Sequence, residues 1–201
     1  MSKLERRMLV GVLGDEVTSG MAIEPMQIAV KLRPLAAKDI HHLVKWDNDP
    51  EIASLIGQKF QAERDAHSWL NGLSRANGRV GFAIEIDEVM IGDIELEHIS
   101  WRSGEAEVRI CLGEKRYWNH GYGTQAMARL LDYAFWDLGL LSVYLRVLHL
   151  NRRAIRAYEK LGFRKRGRLL ATGRLRGGGD LLLMEITRDI YGLWRHPGHR
   201  T

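Results

Sequence analysis

The stretch from Tyr117 to Phe163 constrains the fold of this chain more than any other part. It opens with two glycines, Gly121 and Gly123, placed directly before an amphipathic helical pattern. Glycine lets the backbone turn sharply and approach a ligand closely. Because a helix N-terminus also presents unpaired N–H groups and a positive dipole end, this loop predicts an anion-binding site.

Regular patterns follow the loop. Apolar residues recur at three- and four-residue spacing along one face of the first helix, and Gly139 is expected to end it. A strand is predicted over Ser142–Leu150, Asn151 is expected to cap a second helix, and Gly162 to end that helix. The expected buried face of the first helix consists of Met127, Leu130, Leu131, Ala134, Phe135 and Leu138.

The glycine pair does not belong to either of two common nucleotide motifs. No Gly-Lys-Ser/Thr follows it, so it is not a nucleotide P-loop. The third glycine and the later acidic residue of a dinucleotide fingerprint are also missing. The kind of anion must therefore be inferred from the rest of the stretch.

The second half of the stretch resembles a known family. From Asn151 to Phe163 the sequence matches Asn-x-x-Ala-x-x-x-Tyr-x-x-x-Gly-Phe, an element of the GNAT superfamily of N-acetyltransferases. The family's loop, Gln/Arg-x-x-Gly-x-Gly/Ala, is similar to the segment from Trp118 to Gly123, although Trp118 replaces the Gln or Arg. The chain looks most like the branch that acetylates ribosomal-protein N-termini and polyamines, for which the segment Trp46–Glu51 is also typical.

The resemblance implies an α/β fold of the α+β type, the acyl-CoA N-acyltransferase fold. Its central sheet is mixed but mostly antiparallel, with about seven strands and helices on both faces. In this fold the fourth and fifth strands splay apart, and here those strands are Ala106–Gly113 and Ser142–Leu150. The gap would leave unpaired backbone, with which the pantetheine arm of acetyl-CoA can pair as a pseudo-strand.

The middle of the chain predicts a hairpin that turns at Asp87-Glu88. Its second strand alternates, with Ile94 and Leu96 on one face and Ile99 on the opposite face with the neighbouring glutamates. Residues 28–190 are expected to form one acetyltransferase domain. Residues 1–27 are expected to be a loosely docked arm or, as the alternative, a contact in a homodimer, and residues 191–201 a flexible tail.

Composition and charge limit the classes of binding partner that are expected. The net charge of +5 comes from scattered basic residues without interleaved aromatics, so no nucleic-acid partner is expected. No apolar run approaches the roughly 20 residues that span a bilayer, so no membrane partner is expected. The single cysteine, Cys111, precludes an internal disulfide and is compatible with a reducing compartment. With a charged start that lacks a secretory core, the chain is predicted to be cytoplasmic.

The resemblance implies acetyl-CoA as co-substrate and no metal. Loop N–H groups would hold the pyrophosphate, and the backbone of the fourth strand would hold the pantetheine arm and polarise the thioester. His41 and His42 are adjacent on a helix and are expected to point apart, so they do not predict a metal site. The cofactor-binding candidates are Ile110, Cys111, Leu112, Trp118, Asn119, His120, Gly121, Tyr122, Gly123, Thr124, Asn151 and Ala154.

Acetyl transfer to an amine needs a base for the amine proton and an acid for the thiolate. By resemblance Tyr158 is the acid, since a phenol with a pKa near 10 suits that role; the alternative is a core tyrosine. Glu107 or Glu97 is predicted to take the amine proton, and Glu107 is preferred because its strand reaches the thioester. Cys111 is not expected to carry the acyl group, since the family transfers it directly in a ternary complex.

The resemblance places Trp46 and Asp49 on the wall that faces the acceptor amine, with helix capping as the alternative for Asp49. Three functions stay open: an N-acetyltransferase for a protein N-terminus, polyamine or small amine; an aminoglycoside N-acetyltransferase; and a non-catalytic CoA-binding sensor. A strongly acidic pocket would suit a polycationic acceptor. Its expected members are Asp47, Asp49, Glu51, Glu95, Glu97 and Glu107.

Overall fold

The computed structural model describes residues 30–56, 60, 62–170 and 179–195. The predicted arm, residues 1–27, and residues 196–201 of the predicted tail lie outside this part. The strands are β1 (Lys31–Pro34), β2 (Val80–Ile86), β3 (Val89–Ser100), β4 (Glu105–Leu112), β5 (Ser142–Leu148), β6 (Arg164–Leu169) and β7 (Leu181–Thr187). The helices are α1 (Ile40–Asp47), α2 (Pro50–Ile56), α3 (Glu63–Asn71), α4 (Tyr122–Asp132), α5 (Arg152–Lys160) and α6 (Arg188–Arg195). No described helix is long and apolar enough to cross a membrane.

The seven strands form one sheet in the order β1-β2-β3-β4-β5-β7-β6. The β4–β5 pair is parallel, and every other neighbouring pair is antiparallel. The predicted mixed, mostly antiparallel sheet is therefore confirmed.

The two central strands diverge. β4 and β5 pair only where Glu105–Glu107 meets Ser142–Tyr144. Beyond that point β4 stays paired with β3 as far as Leu112, and β5 stays paired with β7 as far as Leu148. The predicted splay is confirmed, and it leaves two strand edges facing a gap.

The predicted hairpin is confirmed, but its second strand changes phase. Asp87 and Glu88 both have positive φ, as a tight two-residue turn requires. Near the end of β3, His98 has φ of +54° within a break in the register. Such a bulge adds one residue to the strand, so Ile99 returns to the core that holds Leu96. The predicted opposite placement of Ile99 is wrong for this reason.

Apolar clusters cover both faces of the sheet. The larger cluster joins the sheet to α4, α5 and α6, and the smaller one joins it to α1, α2 and α3. Val108 belongs to the larger cluster and Cys111 to the smaller one, as the alternation of a strand requires. Helices therefore lie on both faces, as predicted.

The sequence predicted a flexible tail from Tyr191 onwards. Instead, the chain continues in α6 to Arg195. Tyr191 is fully buried, and its hydroxyl lies 2.8 Å from the Ala128 carbonyl oxygen and 2.9 Å from an Asp132 carboxylate oxygen. Arg195 donates to the same carboxylate at 3.0 Å. The tail prediction was wrong because this docking onto α4 depends on tertiary contacts.

Candidate active site

A cavity of about 290 Å³ lies where the sheet opens. One wall is the end of β4, a second is the start of α4, a third is α5, and α2 closes it with apolar side chains. The predicted residues that line it are Ile110, Cys111, Leu112, Trp118, Asn119, Gly121, Gly123, Thr124, Asn151, Ala154 and Tyr158. The cavity thus joins the unpaired edge of β4 to the predicted phosphate loop.

The loop before α4 has the geometry of an anion site. Asn119 and Gly121 have φ of +66° and +81°, which turns the chain into the helix that begins at Tyr122. No side chain in the described part of the protein caps this helix. Because the first N–H groups of a helix lack intrahelical acceptors, those near Gly123 and Thr124 are free to bind an anion.

Two predicted side chains of the loop lie outside the cavity lining, His120 and Tyr122. The His120 Nδ1 donates to the Trp118 carbonyl at 2.7 Å, and its ring stacks on Tyr122 with 5.9 Å between centroids. Tyr122 also packs edge-on against Tyr117. These side chains shape the loop, and the cofactor contacts predicted for both residues would be made by their backbone.

Trp118 connects the loop to the sheet and to α5. Its indole N–H donates to the carbonyl of Leu112, the last residue of β4, at 2.7 Å. The Arg153 guanidinium lies 3.9 Å from the centre of its ring, a cation–π arrangement. Arg153 thus brings a cation to the loop position where the family has Gln or Arg, a role that the sequence analysis missed.

Asn151 and Tyr158 place α5 beside the gap. The predicted cap is confirmed, since the Asn151 side chain accepts from the Ala154 N–H at 3.1 Å. Tyr158 lines the cavity, and no described residue hydrogen bonds to its hydroxyl. Burial raises the pKa of Tyr158 to about 12, although the nearby Arg153 charge opposes the shift. The phenol therefore stays protonated at neutral pH, as a proton donor must.

Neither predicted base lines the cavity. Glu97, Glu107 and Tyr144 face one another across β3, β4 and β5, at the last rung before the sheet opens. Both carboxylate oxygens of Glu107 accept from Arg146, at 2.6 and 2.8 Å, and this hydrogen bonding raises the pKa of Arg146. Protonation of Glu107 would therefore break a two-pronged ion pair.

Two histidine regions bear on metal binding. Glu97, His98 and Glu107 bring potential ligand atoms within 4.8 Å of one another, but the Arg146 guanidinium already supplies positive charge there. The His41 and His42 rings lie 3.9 Å apart between centroids, so the prediction that they point apart was wrong. His42 also stacks on Trp46, with 5.3 Å between the ring centroids.

The two predicted acceptor residues have structural roles. Trp46 is only 2% exposed, donates to Glu114 at 3.0 Å and packs against Gly113, so it belongs to the core. The Asp49 carboxylate accepts from the Glu51 and Ile52 N–H groups, which confirms the alternative of helix capping. Lys115 also pairs with Asp49 and lowers its pKa.

The expected acidic pocket is not formed. Lys115 pairs with Asp49 and Glu51, Arg79 lies 3.6 Å from Glu95, and Arg146 pairs with Glu107. The buried Asp47 accepts from the Phe60 N–H. Glu97 alone among the six predicted carboxylates makes neither an ion pair nor a hydrogen bond with a described residue.

Several lining residues were not predicted. The apolar wall from α2 consists of Ile52, Leu55 and Ile56, and its position depends on how that helix packs. Arg153, Arg156 and Lys160 line the opposite side from α5. Their three- and four-residue spacing on one face of a helix was a readable signal for a cationic wall.

Comparison with known proteins agrees with this geometry. Residues 29–164 match the acetyltransferase (GNAT) domain family. The chain is 32% identical to the spermidine N(1)-acetyltransferase of Escherichia coli (strain K12), over 73% of this chain and 78% of the relative. It is 30% identical to an uncharacterized N-acetyltransferase p20 of Bacillus licheniformis, over 72% of this chain and 86% of the relative.

A solved structure extends the likeness to most of the fold. The spermidine N-acetyltransferase from Vibrio cholerae, in complex with CoA and spermine, superimposes with a TM-score of 0.74 at 26% identity. The alignment covers 81% of this chain and 98% of that protein. With the splayed sheet, the uncapped helix and the family match, these likenesses lead to one conclusion. The chain belongs to the GNAT acetyltransferase family and is an N-acetyltransferase that uses acetyl-CoA to acetylate a primary amine.

Proposed function

We propose that the amine acceptor is a polyamine of the spermidine and spermine type. The observation that carries the proposal is the likeness to the Vibrio cholerae enzyme in complex with CoA and spermine, which extends over nearly the whole of that protein. The identity to the Escherichia coli spermidine acetyltransferase supports the same acceptor class.

The charges at the rung where the sheet opens support a cationic acceptor. Glu97 and Glu107 lie side by side there, and Arg146 neutralises only one of the two carboxylates. This local excess of negative charge would attract the ammonium group of a polyamine.

In the proposed reaction the acetyl group passes directly from acetyl-CoA to the amine. The start of α4 binds the pyrophosphate, and the free edge of β4 orients the pantetheine arm so that the thioester lies near Tyr158. The amine nitrogen bonds to the thioester carbonyl carbon, and the carbon–sulfur bond breaks. Tyr158 donates its proton to the leaving sulfur, and solvent returns a proton to the phenol.

We propose that Glu97 takes the proton that the amine loses, directly or through one water. The preference for Glu107 drawn from the sequence is reversed, because both of its oxygens are already bound by Arg146. Glu97 lies on the same rung and makes no ion pair within the described ranges. Glu107 then keeps Arg146 in place beside the acceptor.

The acceptor class can be tested by thiol release from acetyl-CoA with a panel of amines. The panel contains spermidine, spermine, an aminoglycoside and a peptide with a ribosomal-protein N-terminus. We expect the highest kcat/KM with the two polyamines. A higher value with the aminoglycoside or the peptide would assign the enzyme to another acceptor class while leaving acetyl transfer intact.

We further propose a cytoplasmic homodimer in which the catalytic domain, expected over residues 28–190, also includes the rest of α6 to Arg195. The single buried Cys111 is compatible with a reducing compartment. Exposed apolar side chains near the end of α4 and on α6, those of Trp136, Ile190 and Leu193, support a contact between copies. Cell fractionation tests the location, and light scattering after gel filtration tests the dimer; a monomer at micromolar concentration would contradict it.

A further inference from the structure

The cationic face of α5 suggests a second anion site in the cofactor cavity. Arg153, Arg156 and Lys160 are spaced by three and four residues, and all three line the cavity that also contains the phosphate loop. Helical residues at this spacing lie on one face. The neighbouring Arg152 is exposed and lies outside the cavity lining. Three of the four cations of α5 therefore border the cavity.

These cations differ in whether they already interact with another residue of the protein. Arg153 lies over the Trp118 ring. Burial lowers the pKa of Arg153, and the electrostatic effects of Glu51 and Tyr158 offset this shift only in part. Arg156 and Lys160 make no ion pair with any residue in the described part of the chain. Glu159, the carboxylate between them in sequence, pairs instead with Lys165 at 3.0 Å. Two cations without an ion-pair partner in the described ranges thus remain available to a ligand in the cavity.

The proposed ligand, CoA, carries a second anionic group besides the one assigned to the phosphate loop. CoA has a pyrophosphate and, on the adjoining ribose, a separate 3′-phosphate. The start of α4 suits one anionic group, since the helix end exposes only its first few N–H groups. A phosphate monoester has nearly two negative charges at neutral pH, and it binds best to arginine and lysine side chains. Its partners should lie in the same cavity, beyond the loop.

We propose that Arg156 and Lys160 form the binding site for the 3′-phosphate of CoA, so that this enzyme distinguishes acetyl-CoA from acetyl-dephospho-CoA. The inference rests on the cofactor placement proposed above. It assigns these two residues a role in cofactor selection and not in chemistry. Their removal should therefore change KM for the cofactor and leave kcat nearly constant.

The test compares acetyl-CoA with acetyl-dephospho-CoA in the full chain at low ionic strength. Four proteins are used: wild type, Arg156→Gln, Lys160→Gln and the double variant. We expect wild type to prefer acetyl-CoA by at least about tenfold in kcat/KM, as one charge-assisted hydrogen bond would give. Each single variant should lose part of this preference, and the double variant should use both cofactors within about threefold.

Arg152→Gln is the matched control, since it removes the same charge from the same helix outside the cavity. It should keep the wild-type preference. Equal use of both cofactors by wild type would overturn the proposal, as would an equal loss of preference in Arg152→Gln. The same holds if the double variant keeps the full preference.

Calorimetry with CoA and dephospho-CoA separates this proposal from the proposed function. If no amine is acetylated but CoA binds at least tenfold more tightly than dephospho-CoA in wild type only, the acceptor proposal fails and the phosphate site stands. If polyamines are acetylated with equal kcat/KM from both cofactors, the phosphate site fails and the function stands.

Discussion

Tyr158 is the residue on which the proposed chemistry most directly depends. Tyr158→Phe removes the hydroxyl but keeps the ring, which contacts Phe163. We expect kcat to fall by about 100-fold or more, because a positioned proton donor contributes that much. The affinity for CoA, measured by calorimetry, should change by less than about twofold, since the backbone and the cations hold the cofactor.

The control for this variant is Tyr133→Phe. The Tyr133 hydroxyl accepts a hydrogen bond from Arg75 at 2.7 Å and does not line the cavity. Its loss should leave kcat unchanged. Full activity of Tyr158→Phe would make Tyr158 a core residue, the alternative considered from the sequence.

The pH–rate profile distinguishes the two glutamates. Burial raises the pKa of Tyr158 to about 12, so loss of the phenol proton would lower the rate only at strongly alkaline pH. The acidic limb, the fall in rate at low pH, follows protonation of the acceptor amine or of the base, since both must be unprotonated for transfer. We expect Glu97→Gln to lower kcat and to remove or displace this limb. Glu107→Gln should keep the limb and mainly raise KM for the amine, since it releases Arg146. The opposite pattern would restore Glu107 as the base.

Single residues differ in how well sequence predicts them. Asn151 caps its helix as expected, because the cap and its partner Ala154 are three residues apart. The role of Trp46 was not predictable, because its indole bonds to Glu114, 68 residues away. Lys115 likewise reaches Asp49 from a distant segment. Local partners can be predicted from spacing, whereas ion pairs between distant segments depend on the folded chain.

At the scale of elements, the start of α4 carries the proposed phosphate site. In Gly123→Val the first added carbon would lie 3.2 Å from the Leu112 side chain, on the cavity wall. We expect the affinity for CoA to fall at least about tenfold, because the side chain occupies space that the backbone leaves to the phosphate. Gly167→Val is the control, since that glycine lies on β6 with open space around it. Equal affinities in both variants would remove the phosphate-loop assignment.

The second element-scale prediction concerns α6. Tyr191→Ala should lower the free energy of unfolding by about 3–5 kcal/mol, because it removes a fully buried aromatic ring. Leu150→Ala, in the loop before α5, should change it by less than about 0.5 kcal/mol, because Leu150 is 69% exposed. Urea unfolding measures both. Equal, small effects would mean that α6 is not docked in solution.

The sequence predicts elements better than their irregularities. Periodic apolar residues identified α4 and α5. Gly162 follows the end of α5 as predicted, whereas Gly139 follows a π-helical segment, Tyr133–Asp137, that continues from α4. The bulge at His98 left no pattern, because one extra residue looks like continued alternation. The short α6 was missed because its stability comes from Tyr191 docking onto α4, not from its own propensity.

At the scale of the whole molecule, the sheet consists of two halves, strands β1–β4 and strands β5–β7. Among the described residues, the halves pair only at three positions of β4, from Glu105 to Glu107. The helices of the larger core cluster hold the two halves together at the open end. Alternation within β4 and β5 could not reveal this divergence, since both strands keep full pairing on their outer sides. Only the family resemblance predicted it.

This architecture predicts where cofactor binding should stabilise the protein. A pantetheine arm lying in the gap would contact β4 and the walls formed by α4 and α5 at once. CoA at 100 times its Kd should therefore raise the free energy of unfolding by about 2.7 kcal/mol. Hydrogen exchange should slow at the first turn of α4, where the N–H groups lack intrahelical acceptors, and along the edge of β4 at Ile110–Leu112 that β5 leaves unpaired. β1 and β2, which lie at the far edge, should keep their exchange rates.

Gly123→Val should abolish the protection at α4. Protection that appears in β1 and β2 but not in β4 would place the cofactor elsewhere, and the gap would then be only a structural feature of the fold.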